Sequence, residues 1–75
     1  MKSDVCLAFG KHIKKLRQAQ GLSQEQLADL AELDRTYVSG IERGIRNVGL
    51  RNIDKLAQAL QLPLLELFNF EQVQS

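Results

Sequence analysis

Disulfides, zinc centres and membrane anchors all lack raw material in this chain. One Cys and one His among 75 residues cannot build a disulfide framework or an internal zinc site. With one Pro, no Trp and 5% aromatic residues, β-branched and aromatic side chains never alternate with period two, so strands have no support. No apolar run approaches the ~20 residues that span a bilayer. The opening Met1-Lys2-Ser3-Asp4-Val5-Cys6 holds no apolar stretch of signal-peptide length. Charge of one sign is also missing: ten Lys+Arg against nine Asp+Glu leave +1, too little to name a partner from the total. What is present is ordinary globular material, 44% hydrophobic and 25% charged, which argues against disorder. The length predicts a single domain, 1–75, with a small core. The expected setting is cytoplasmic, with no cofactor and no metal. No acid–base pair beside a nucleophile can be picked out, so an enzyme is not expected.

The net charge hides a pattern. Lys2, Lys11, Lys14, Lys15 and Arg17 dominate residues 1–23, and 24–34 are purely acidic (Glu25, Asp29, Glu32, Asp34). Residues 35–55 turn basic again, with Arg35, Arg43, Arg46, Arg51 and Lys55 against Glu42 and Asp54. This second block is informative if it falls on one exposed face.

Helical spacing predicts five short helices. Phe9, Ile13, Leu16 and Gln20 step by four, three and four along a first helix, which Gly21 ends. Ser23 with Gln26 three residues later reads as a capping box, opening a helix of about eight residues that buries Leu27, Ala28 and Ala31. After a tight connection at Glu32-Leu33, Asp34 caps a third helix over 35–43 that stops at Gly44. Only Val38 and Ile41 face inward there, so most of its surface is outward. Leu50, Ile53, Leu56, Ala57 and Leu60 mark a fourth helix. Pro63 opens a fifth through Leu64, Leu65, Leu67 and Phe68. The tail 71–75 has no pattern and is expected to fray.

Two short helices joined by a tight turn, the second polar outward, have the shape of a helix-turn-helix over about 23–43. An outward face of Arg, Thr, Tyr, Ser and Gly suits the major groove of B-DNA, which admits one helix. The runs Gly21-Leu22-Ser23-Gln24-Glu25-Gln26-Leu27-Ala28, Asp34-Arg35-Thr36-Tyr37-Val38-Ser39-Gly40-Ile41-Glu42-Arg43-Gly44 and Arg46-Asn47 closely resemble the Cro/phage-repressor-like (XRE-type) helix-turn-helix family. Leu56-Ala57-Gln58-Ala59-Leu60 and Leu67-Phe68 extend the likeness over residues 9–68. Within the family, the chain looks like the controller proteins of restriction–modification systems.

The resemblance implies an all-α, five-helix repressor-like DNA-binding domain. It assigns base contacts to Arg35, Thr36 and Ser39, and DNA backbone contacts to Gln24, Tyr37, Arg43, Arg46 and Asn47. Arg17 and Glu42 match an internal ion pair between the first and third helices. Gly40 stands where phage repressors often carry a base-reading Gln, a departure that counts against direct readout there but would let the helix lie deeper. The usual Gly of the turn is Glu32, and the usual Ser cap of the fourth helix is Gly49. His12 and Cys6 read as an incidental surface residue and an incidental small residue.

Large apolar side chains crowd the C-terminal end beyond what one short helix hides, and a contiguous patch of them suggests an interface. Leu62, Leu65, Phe68 and Phe70 are therefore expected to form a dimer surface on the helices at about 50–70. The expected function is sequence-specific transcription regulation: a homodimer on a palindromic double-stranded operator, with no membrane and no small-molecule substrate. The alternatives are an antitoxin or phage-type repressor, or a protein-interaction module that has kept the fold and lost DNA binding.

Overall fold

Each helix starts where a side chain or backbone group replaces the acceptor that its first amides lack. The computed structural model describes residues 4–71, so the expectation for the tail falls, beyond Glu71, outside the described residues. In chain order the elements are α1 (Val5–Ala19), α2 (Gln24–Ala31), α3 (Arg35–Glu42), α4 (Leu50–Leu60) and a 3-10 helix (Leu64–Phe68). Asp4 caps α1 by accepting from the Leu7 amide at 3.0 Å, which starts the helix four residues before its first regularly spaced apolar residue, Phe9. Ser23 and Gln26 form the expected capping box on α2, and Asp34 caps α3.

All four α-helices also end alike. A residue of left-handed conformation follows the last turn of each: Gly21 (φ 71°), Glu32 (φ 58°), Gly44 (φ 78°) and Gln61 (φ 57°). Backbone bonds close these ends, as from Leu22 N–H to the Arg17 carbonyl and from Ile45 N–H to the Gly40 carbonyl, both 3.1 Å. Glycine reaches this conformation without strain, whereas Glu32 and Gln61 carry a Cβ through it.

Among the described residues the fold is all-α, with four α-helices rather than five. The fifth element is a single stretch of 3-10 helix. Pro63 stands outside it as an extended cap (φ −60°, ψ 145°) with no side-chain cap bond. Five residues without such a cap close only short bonds, such as Glu66 N–H to the Pro63 carbonyl at 2.9 Å. The tighter helix suits a piece of this length.

Ile13, Leu27, Val38, Ile41, Leu56, Leu60 and Leu67 are fully buried, drawn from every element. α1 lies so closely over α3 that a Cβ at Gly10 would collide with the Ile41 carbonyl oxygen. The Gln20 side chain donates to the Leu60 carbonyl at 2.7 Å and ties the ends of α1 and α4. His12, expected to be solvated, is half-buried. Its Nε2 lies 2.8 Å from the Glu66 carbonyl oxygen, and its ring packs on Phe70. It links α1 to the 3-10 helix.

Candidate nucleic-acid interface

The two helices expected to meet a duplex are held by one polar node. Arg17 donates from Nε and Nη2 to the two Glu42 carboxylate oxygens at 2.7 and 2.9 Å, and from Nη1 to the Leu22 carbonyl at 2.7 Å. Both residues are buried, at 8% and 7% exposure. The bond to Glu42 raises the pKa of Arg17 against the opposing effect of burial, so the guanidinium stays charged. Gln24, at the start of α2, donates to the same carboxylate at 3.0 Å. α1, α2 and α3 thus converge on Glu42. Among the described residues no buried side-chain nitrogen or oxygen lacks a partner.

Gly40 and Glu42 are buried together with Val38 and Ile41, so α3 gives less of its surface to solvent than its spacing predicts, and its remaining polar residues point outward. Arg35 and Arg43 are exposed at its two ends, Thr36 is exposed and Ser39 is half-buried. The Asp34 carboxylate accepts from the backbone amide and the hydroxyl of Thr36. Those bonds, hydroxyl first, hold its pKa below the usual carboxylate value, with help from the charge of Arg35. The Thr36 hydroxyl proton is therefore taken up by the cap, and its oxygen remains free to accept. Arg46 and Asn47 are exposed in the loop after α3. Arg35, Arg43 and Arg46 are thus exposed cations on α3 and the loop that follows it, while the other two of the second basic block, Arg51 and Lys55, are exposed on α4.

Two site residues sit differently from what their assignments imply. Gln24 turns its side-chain amide inward to Glu42, which leaves its backbone N–H at the positive end of α2 as the natural anion donor. Tyr37 is half-buried against the core. Its hydroxyl accepts from Asn52 Nδ2 at 3.1 Å, and the Arg46 guanidinium lies 5.6 Å from its ring centroid. Asn52 was not among the candidate residues. It lies fifteen positions from Tyr37, and no local pattern marks so distant a partner.

The C-terminal apolar residues divide. Leu65 (78%) and Phe68 (44%) are exposed. Leu62 and Phe70 are half-buried against the protein's own core, with Phe70 edge-on to Phe9 at 6.1 Å between ring centroids. Phe70 reaches α1 because the chain folds back after the 3-10 helix, whereas Leu62 lies before it, between α4 and the 3-10 helix. Val5, which carried no sequence signal, is exposed as well. It shares with Phe9, Ile53 and Phe68 a mostly apolar cleft of about 190 Å³, which Cys6 also lines as a free thiol. Among the described residues no helix is long and apolar enough to cross a membrane, and no group of three metal-type ligands occurs.

Comparison with known proteins agrees with this geometry. A family model described as helix-turn-helix matches residues 13–67. The control protein C.MunI of a Mycoplasma species is 47% identical over 68 residues, 89% of this chain and 92% of the relative. The crystal structure of the restriction-modification controller protein C.AhdI from Aeromonas hydrophila superposes with a TM-score of 0.84 at 56% identity, covering 85% of this chain and 97% of that one. The controller protein C.Esp1396I, solved as a tetramer in complex with its natural 35 base-pair operator, gives a TM-score of 0.82 at 36% identity, covering 89% and 88%.

Proposed function

The chain belongs to the helix-turn-helix family, and from that premise we propose that it is a transcription regulator of the restriction–modification controller kind, a cytoplasmic homodimer that binds a palindromic operator. Its role is recognition rather than catalysis. The observation that carries this reading is the exposed basic surface of α3 and its following loop, mounted on a buried ion pair. In the dimer, two copies of α3 enter successive major grooves about 34 Å apart. Arg35, Thr36 and Ser39 meet base edges. Tyr37, Arg43, Arg46, Asn47 and the amide end of α2 at Gln24 meet the backbone. Phosphate contacts supply most of the affinity, and base contacts with duplex deformability supply the selectivity. Leu65 and Phe68 form the centre of the dimer surface.

Duplexes selected from a random pool by the wild-type protein provide the probe. Arg35→Ala should cost roughly 1–3 kcal/mol on a selected duplex and relax one position per half-site. Arg43→Ala should weaken all duplexes alike and reduce the salt slope by about one. A wild-type protein that retains no duplex at low salt would overturn the reading. Equal losses for Arg35→Ala on selected and random DNA would remove Arg35 from the base-reading set.

A further inference from the structure

One buried position on α3 has no side chain, and a residue of the following loop covers it. Gly40 lies three residues after Tyr37 and four after Thr36, so the three share a helix face. A Cβ built at Gly40 would sit 2.9 Å from Arg46 Cγ and 3.1 Å from Arg46 Nε. The stem of Arg46 therefore lies across the bare backbone of α3. The guanidinium at its end reaches the Tyr37 ring, 5.6 Å from the centroid, within cation–π range. Asn52 of α4 holds the same ring from its hydroxyl at 3.1 Å. An arginine from the loop, a glycine from α3 and an asparagine from α4 thus converge on one tyrosine.

We propose that Gly40 is a positioning residue: its missing side chain is the slot that lays Arg46 along α3 and holds its charge at Tyr37. The proposal rests on the DNA-binding reading above. The gap does not bring the helix closer to a duplex, because Arg46 already occupies it. The physical advantage is preorganisation. An exposed arginine loses rotamer freedom when it grips a phosphate or a base, and one already seated in a slot loses less. Position 40 thereby contributes a cation to the recognition surface without carrying one.

The test compares Gly40→Ala, Arg46→Ala and the double variant with wild type. Alanine is the better helix former, and the group it displaces is a flexible side chain, so Gly40→Ala is expected to fold. Tyr37 is the sole tyrosine and there is no tryptophan, so intrinsic fluorescence of the free protein reports on this contact. Both single variants should shift that emission in the same direction, and the double should match either single. On a duplex selected by the wild type, each single should lose roughly five- to tenfold in affinity with a shallower salt slope. The double should lose no more than one single does. Unchanged emission in Gly40→Ala would overturn the proposal. So would a loss of affinity from Gly40→Ala that is as large with Ala at position 46 as with Arg, since Gly40 would then act by admitting the duplex itself. If Gly40→Ala does not fold, unchanged emission in Arg46→Ala is sufficient to overturn it. A wild type that binds no duplex sinks the functional reading alone, because the fluorescence comparison is made without DNA.

Discussion

Arg17 bonds through three of its nitrogens, two to Glu42 and one to the Leu22 carbonyl, and its burial decides how much that matters. An exposed ion pair is worth ~0–1 kcal/mol, but at 8% and 7% exposure the loss of one partner strands a charge away from water. Glu42→Ala should therefore destabilise the fold by about 3–5 kcal/mol in denaturant titrations. The Arg17→Ala/Glu42→Ala double variant should fall short of the sum of the singles; strict additivity would contradict the pairing. Arg17→Lys should rescue little, since an ammonium cannot reproduce the two-pronged geometry. This pair was legible from the resemblance alone. The third member, Gln24, was not, because a glutamine at a helix start looks the same whether it faces solvent or a buried carboxylate. Arg46 across Gly40 was hidden for a similar reason: a glycine shows only that a side chain is missing, not what fills the space.

Helix boundaries are set by chemistry within a few residues, and here they were readable: Ser23 with Gln26, Asp34, Gly21 and Gly44 all act at the ends they marked. The errors came where local signals give out. Pro63 suits the first turn of an α-helix and an extended cap equally well. Phe70 packs on Phe9 of α1 because of how the chain folds back, which no spacing shows. The cap at Asp34 carries a pH dependence. Its carboxyl has a folded pKa below the unfolded value, so its contribution is complete above the ordinary carboxylate pKa of about 4. That contribution is lost as pH falls through the lowered folded value. Thermal melts between neutral pH and pH 2.5 should show this acid loss reduced in Asp34→Asn, which keeps a capping acceptor but does not titrate. Asp34→Ala should melt lower than Asp34→Asn at neutral pH. Equal neutral melts would mean that the side chain does not cap α3.

Taken whole, the molecule leaves Leu65, Phe68 and Val5 exposed, the last two on the rim of the apolar cleft, a costly arrangement for so small a core. Pairing offsets it, since association stabilises the folded state by mass action. Sedimentation at micromolar concentration should show a dimer. Leu65→Glu should shift it towards monomer with helicity retained, and should weaken binding to a two-half-site duplex far more than to a single half-site. A wild type that stays monomeric at high concentration would rule this surface out. The buried node of Arg17, Glu42 and Gln24 has one more consequence. The exposed Arg35, Thr36 and Arg43 make no bond to it. Such a layout separates the address from the chassis. Exchanging those outward side chains should redirect the protein to a new operator at little cost to folding.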